Sequence, residues 1–192
     1  MSKEGKTGVS TNTPKNILFG AGTIHRGLSY AEGAWNFDAS IVGATSGGSK
    51  LSIIPEVTKV EVDGALVAAK GLSVKTGETA TMEVNFVELT TDIIKAATMG
   101  ATGESDDTAY SVIVPKASIV EGDYWDNIAF VGKTLEGKNI IAILENALCT
   151  SGFEQEGKNK EGAIGKYTFE SHADLDSSLD TLPWKIYYPV SA

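Results

Sequence analysis

Residues 51–89 constrain the fold more than any other part of the chain, because apolar and polar residues alternate there with the period of a β-strand. Turn signals divide this stretch into segments. Asp63-Gly64 favours a two-residue hairpin, since both positions of such a turn adopt positive φ. Thr76-Gly77-Glu78 indicates a second turn. The stretch therefore predicts an antiparallel meander.

The last strand of this meander has two unlike faces, and each face predicts a different environment. The side chains on the apolar face are expected to pack into a core; they are Ala80, Met82, Val84 and Phe86. The side chains on the opposite face are expected to meet water or a channel; they are Thr79, Thr81, Glu83 and Asn85.

After Leu89 the pattern changes to one that predicts a short helix over residues 92–99. Thr91 is a suitable N-cap, and Asp92 places an acid in the first turn. Gly100 stands where a left-handed C-cap belongs. A short helix is therefore expected to flank the strands.

Length and glycine content indicate one mainly-β domain. The 192 residues are enough to bury a core without disulfides, and 21 glycines lie between short strand-like runs. Such runs occur at residues 112–115, 127–131, 139–144, 147–153, 164–169 and 182–189. Residues 1–14 are small and polar and predict a mobile N-terminal arm, so that residues 15–192 form the single domain. The expected architecture is a β-sandwich or barrel.

Charge and cysteine content exclude several classes of function. The chain has 25 acidic and 16 basic residues, and its net charge of −9 opposes attraction to nucleic-acid phosphates. Its single cysteine, Cys149, cannot form an internal disulfide, so a reducing cytosol is expected. We find no apolar segment typical of a secretory signal and no run of about 20 apolar residues that would span a membrane. A soluble protein with no membrane partner is expected.

Two glycine-rich segments resemble phosphate-binding motifs but lack essential parts. Gly20-Ala-Gly22 follows an apolar run, yet His25 stands where a dinucleotide motif has its third glycine, so a turn is expected. Gly43 and Gly48 have Walker A spacing, but Ser49 occupies the lysine position. Residues 36–50 instead predict a flexible loop that orders on assembly.

No group of residues forms a recognisable catalytic or metal site. His25, His172 and Cys149 are scattered, and Cys149 lies in an apolar run where a buried thiol is expected. Three aspartates follow His172, but they lack the glycine and glutamate of an EF-hand loop. The chain is therefore expected to be neither an enzyme nor a metal or cofactor carrier.

Longer strings resemble the major tail proteins of long-tailed, non-contractile bacteriophages and prophages of low-GC Gram-positive hosts. The strings are spread over most of the chain and none is a chemical motif by itself. They are Gly43-Ala-Thr-Ser-Gly-Gly48, Lys50-Leu-Ser-Ile53, Glu61-Val-Asp-Gly-Ala65, Asn127-Ile-Ala-Phe-Val-Gly132, Asn146-Ala-Leu-Cys-Thr-Ser-Gly-Phe-Glu154, Glu156-Gly-Lys-Asn-Lys160 and Ile186-Tyr-Tyr-Pro189.

This resemblance implies a virion tail tube subunit, made in the host cytoplasm, with two packed antiparallel sheets and a flanking helix. Such subunits form hexameric rings that stack into a hollow tube, through which DNA passes without specific binding. The implied partners are further copies of the chain, the tape measure protein and the tail terminator. The tube of a phage-derived bacteriocin or a type VI-like secretion apparatus is an alternative, as is a free-standing carbohydrate-binding β-sandwich.

Within the tube, two sets of residues are expected to carry the assembly. The predicted flexible loop contains two apolar residues, Ile41 and Val42, that suggest contact outside the domain. The candidate ring-stacking residues are Ile41, Val42, Gly43, Ser46 and Lys50. The candidate lumen-facing residues are Thr79, Thr81, Glu83 and Asn85, and a repeated Glu83 would repel DNA.

Overall fold

The computed structural model describes residues 8–157, 159–160 and 162–190, and these residues form a mainly-β fold. The helices are α1 (Thr13–Asn16), α2 (Phe37–Ser40) and α3 (Thr91–Thr98), and Glu121–Asp123 form a 3-10 turn. The strands are β1 (Leu18–Arg26), β2 (Tyr30–Ala31), β3 (Ala34–Trp35), β4 (Thr45–Lys59), β5 (Ser73–Phe86), β6 (Ala101–Gly103), β7 (Val112–Val114), β8 (Trp125–Thr134), β9 (Asn139–Cys149), β10 (Gly165–Ser171) and β11 (Trp184–Tyr187).

Seven strands form one antiparallel sheet in the order β1-β8-β9-β10-β5-β4, with β11 also paired to β9. Strand β9 is long enough for two partners on one edge, because β10 pairs with residues 147–149 and β11 pairs with residues 141–144. The predicted strand-like runs 127–131 and 139–144 lie in β8 and β9, which form a hairpin through residues 135–138, and the run 182–189 contains β11. Strands β2 with β3 and β6 with β7 form two small ribbons.

The sheet curls until its two edge strands approach each other at one end. The backbone N–H of Val42 donates to the carbonyl of Ile24 at 3.0 Å, and Ile41 forms a β-bridge with His25. Side chains from β1, β5, β8, β9, β10 and α3 consequently share one core. The mainly-β class with a flanking helix is confirmed, and the packed layers are parts of one continuous sheet.

Strands β8 and β9 are buried on both of their faces. A second apolar cluster on their other face contains Leu28, Ala129, Val131, Ile141 and Ile143. Side chains from β3 and α2 pack against it and close it from solvent. These two strands therefore form the centre of the fold, which agrees with their near-continuous apolar sequence.

Helix α3 confirms the predicted helix with both caps shifted by one residue. Thr90 is the N-cap, since its hydroxyl accepts a hydrogen bond from the Ile93 backbone at 3.3 Å, so Thr91 begins the helix. At the other end Met99 adopts the left-handed conformation with φ of 49°, in place of Gly100. Ile93 is fully buried and anchors the helix to the core.

The two predicted turns of the meander have a different form in the structure. Asp63-Gly64 does lie in a turn, closed by a hydrogen bond from Ala65 N–H to Val62 O, but the connection between β4 and β5 spans residues 60–72. The prediction of a two-residue hairpin at Asp63-Gly64 is therefore wrong. Thr76-Gly77-Glu78 lies inside β5, where the register to β4 shifts by one residue. That shift is a β-bulge, which also favours glycine.

Both glycine-rich segments also turn out to be irregularities within strands. The register of β1 shifts between Phe19 and Thr23, and Gly20 and Gly22 adopt positive φ. The register of β4 shifts at residues 45–49, where Gly47 and Gly48 do the same. The segment 36–50, predicted as a loop, is thus a helical turn, a β-bridge and the start of β4.

Replacing Tyr167 by phenylalanine tests how tightly the core excludes water. The Tyr167 side chain is 1% exposed, and its hydroxyl makes no hydrogen bond within the described residues. Burial of this hydroxyl raises the pKa of Tyr167 and costs free energy without return. In Tyr167→Phe the free energy of unfolding should rise, or change by less than about 1 kcal/mol, as measured by urea denaturation. A larger decrease in the free energy of unfolding would show that the Tyr167 hydroxyl has a stabilising partner.

Candidate functional site: the hairpin extension and the outer face

Beyond the core, β4 and β5 continue as a two-stranded ribbon whose base contacts the segment before β11 and whose outer part is exposed. We name residues 54–78 the hairpin extension, which comprises the outer parts of β4 and β5 and the loop 60–72. Every residue from 54 to 71 is exposed. At about 3.3 Å per residue, the paired part from Ile54 to Lys59 is about 20 Å long.

The hairpin extension presents apolar side chains to solvent. Leu66 is 98% exposed and Val67 is 81% exposed. Five further large apolar side chains on the extension are at least about half exposed: Ile54, Val57, Val60, Val62 and Val74. A group of exposed large apolar side chains is typical of an interaction site, because burying them against a partner is favourable.

The base of the hairpin extension is held to strand β11 by one carboxylate. Glu78 forms an ion pair with Lys75 at 2.9 Å and accepts a hydrogen bond from the Trp184 indole at 3.0 Å. The bond from Lys75 and then the bond from Trp184 lower the pKa of Glu78. The extension therefore leaves the body of the protein at a defined point.

Acidification should weaken this anchor. Since the pKa of Glu78 is lower in the folded chain than in the unfolded chain, its carboxylate stabilises the fold above the ordinary glutamate pKa, and the contribution is lost as the pH falls through the lowered pKa. The stability advantage of the wild type over Glu78→Gln should shrink between about pH 7 and about pH 3, as measured by urea unfolding. Glu136→Gln, in the exposed β8–β9 turn, is the control; an unchanged advantage would refute the anchor.

The four residues predicted to face a lumen do share one face of β5, which we name the outer face together with its neighbours on β4 and β10. Ala80, Met82, Val84 and Phe86 are buried on the opposite side, as predicted. On the outer face Glu83 is exposed, and Thr79, Thr81 and Asn85 are half-buried.

The charges on the outer face are balanced. Lys50 lies opposite Glu83 in the register, and its Nζ is 2.7 Å from Glu83 Oε1. On the other side of β5, Lys166 pairs with Asn85 and Glu170 pairs with Thr81. The two lysines and two glutamates cancel, although the chain as a whole carries a net charge of −9.

The five candidate ring-stacking residues do not form one surface. Ile41 is 49% exposed, whereas Val42 packs against the core. Gly43 lies beside the Glu88 side chain, Ser46 is exposed at the start of β4, and Lys50 belongs to the outer face. The larger exposed apolar surface, the hairpin extension, was missed as a site, although the apolar run Ala65-Leu-Val-Ala-Ala69 between turn signals points to it.

The residues considered for chemistry make hydrogen bonds or packing contacts within the fold. The two ring nitrogens of His25 lie 2.7 Å from Thr23 Oγ1 and 2.8 Å from Ser40 Oγ, and burial lowers the pKa of this histidine. Cys149 is 1% exposed, and burial raises the pKa of its thiol, which opposes nucleophilic reactivity. His172 packs edge-on against Tyr124.

The described residues contain neither a metal-binding cluster nor a membrane-spanning helix. Within residues 8–157, 159–160 and 162–190, no group of three His, Cys, Asp or Glu side chains is placed to hold a metal ion. In the same part of the chain, no helix has the length and hydropathy needed to cross a membrane.

No protein-family model matches the sequence, and no curated protein matches it significantly.

Proposed function

We propose that this chain is a self-assembling structural subunit, the tail tube protein of a long-tailed, non-contractile bacteriophage or prophage. Copies of it would form hexameric rings that stack into a hollow tube for DNA. The observation that carries the proposal is the hairpin extension, in which 18 consecutive residues are exposed and several are large and apolar. Such a surface is explained by a partner that covers it, and a subunit that repeats in a ring provides that partner.

The edges of the sheet support the same proposal. Strands β1 and β4 are the terminal strands of the seven-stranded sheet. Val42, just before β4 begins, bonds to Ile24 of β1, whereas β4 continues to Lys59 with β5 as its only partner strand among the described elements. Unpaired edges promote association, and a ring uses them by pairing one copy with the next.

Two of the strings that resemble tail proteins lie in β4 and in the hairpin extension, which supports the proposal. Glu61-Val-Asp-Gly-Ala65 lies in the exposed loop of the hairpin extension, and Lys50-Leu-Ser-Ile53 begins the free edge of β4. Three other strings overlap β8, β9 and β11. The resemblance therefore includes both the core and the exposed ribbon.

A balanced outer face also suits a channel wall. DNA binds where Lys and Arg displace its counterions, and it is repelled by a surplus of acid. With Lys50 paired to Glu83, the outer face would neither bind DNA strongly nor repel it strongly. DNA would then move along the wall without a grip, which is a weaker requirement than the repelling acidic ring expected from the sequence.

The carbohydrate-binding alternative has less support. Such a site presents aromatic rings that a flat sugar can stack on, and the exposed cluster here contains Tyr30, Trp35 and Tyr187. The planes of Tyr30 and Trp35 are inclined at 58°, and those of Trp35 and Tyr187 at 77°. These rings pack on each other and do not form a flat platform. A bacteriocin or secretion tube shares the proposed assembly and differs in what passes through it.

Two charged substitutions at the tip of the hairpin extension test the proposal. The purified wild type should form rings or tubes in negative-stain micrographs at high concentration, and Leu66→Asp/Val67→Asp should remain monomeric. Both side chains are almost fully exposed, so the free energy of unfolding should change by less than about 0.5 kcal/mol. Leu175→Asp, at a residue 87% exposed elsewhere, is the matched control and should assemble. A wild type that stays monomeric and binds glycans would overturn the proposal.

A charge reversal on the outer face tests whether this face lines the channel. Glu83→Lys breaks an exposed ion pair worth less than about 1 kcal/mol, so the subunit should still fold and assemble. Each copy would gain two units of positive charge on this face, and DNA release from virions should slow at low salt and recover at high salt. Glu121→Lys is the control. Normal release at low salt would place the outer face outside the channel and leave the tube proposal standing.

A further inference from the structure

A second exposed apolar surface lies where strand β1 begins. We name it the rim; its members are Ile17, Leu18, Phe19, Leu135 and Tyr188. Two hydrogen bonds hold these segments together: the Leu135 backbone N–H donates to Ile17 O at 3.1 Å, and the Tyr188 hydroxyl donates to Asn16 Oδ1 at 2.8 Å. Phe19 is 68% exposed and Tyr188 is 53% exposed. The rim is thus an ordered apolar surface without a cover among the described residues.

The rim and the hairpin extension carry opposite charges. Lys15, Lys133 and Lys138 lie beside the rim with one acid, Glu136, which leaves a surplus of positive charge. In the loop of the hairpin extension, Glu61 and Asp63 outnumber Lys70, which leaves a surplus of negative charge. Complementary charge around two apolar surfaces favours their contact and disfavours contact between two like surfaces.

The two surfaces lie at the same end of the sheet but at its opposite edges. Glu170 pairs with Thr81 of β5 and with Leu148 of β9, which sets these two residues at one level. From that level β5 extends back to Ser73, and β9 extends back in the same direction over a similar length to Asn139. The loop 60–72 adjoins Ser73 at this end of β5. The rim lies at the same end of β9, because Asn139 pairs with Lys133 and Lys133 pairs with Phe19.

From this placement we infer that the hairpin extension of one copy docks on the rim of a second copy of this chain, with Glu61 and Asp63 meeting Lys133 and Lys138. The contact joins two unlike surfaces, so each copy uses its extension on one neighbour and its rim on the other. Because both surfaces lie at the same level, repetition of this contact about an axis along the strands adds no rise between copies, as a ring requires. The inference rests on the proposed function and assigns the surfaces that join neighbours within a ring.

Reciprocal charge reversal tests this docking. Glu61→Lys/Asp63→Lys and, separately, Lys133→Glu/Lys138→Glu should each raise the concentration needed for assembly roughly tenfold or more, because like charges then face each other. The variant that carries all four changes should assemble again near the wild-type concentration. Sedimentation velocity measures assembly, and circular dichroism with urea unfolding shows that each variant is folded. Glu104→Lys/Asp106→Lys reverses two exposed acids with the same spacing in another loop and is the matched control.

Three outcomes would overturn the docking. Assembly of Lys133→Glu/Lys138→Glu at the wild-type concentration would show that the rim is not the partner, while the proposed function would stand. A folded four-fold variant that stays dissociated would show that the two charge sets do not meet. A wild type that remains monomeric at every concentration would remove the proposed function and the docking together.

Discussion

The backbone contact between Val42 and Ile24 closes the sheet at one end, and most of the molecule depends on that closure. It brings the two edge strands together and encloses the core that α3 and the apolar face of β5 fill. It also fixes where enclosure stops, because β4 and β5 run on past the covered region. One contact therefore separates a buried half of the long hairpin, which stabilises the fold, from an exposed half that is free to meet a partner.

The alternation in residues 79–86 gave a correct prediction because strand periodicity reports which side of a strand is apolar. It does not report whether another layer lies against that side. Val57 and Val74 keep the same strand pattern as the core positions, yet each is 51% or more exposed, because nothing in the described chain packs on the ribbon at that level. Burial of a strand depends on distant elements, so a local pattern could not distinguish the two halves of the hairpin.

Glycine and threonine residues in the sequence indicated where a strand is interrupted and where a helix begins. They did not determine whether the interruption is a turn or a bulge, or which threonine is the cap. Gly77 indicated a turn, but partner strand β4 keeps the backbone extended and the irregularity becomes a bulge. Thr90 and Thr91 are equally good caps by residue type, and the choice depends on where Ile93 must point to reach the core. Such decisions depend on tertiary packing, which residue type alone does not encode. The resemblance predicts the kind of assembly. The hairpin extension and the rim could be identified only from the fold, because their exposure depends on which elements pack on them.

The uncovered loop 60–72 has a consequence for how assembly would begin. In a single chain no other described element packs on this loop, and backbone hydrogen bonds such as the one from Ala65 N–H to Val62 O are its internal support. The first two copies that meet would therefore bear the entropic cost of fixing its side chains for one contact. In the proposed ring, the copy that closes it would make two contacts while losing the translational freedom of only one molecule. Open pairs and short arcs should therefore be sparsely populated, and subunits would remain separate up to a critical concentration, above which complete rings appear.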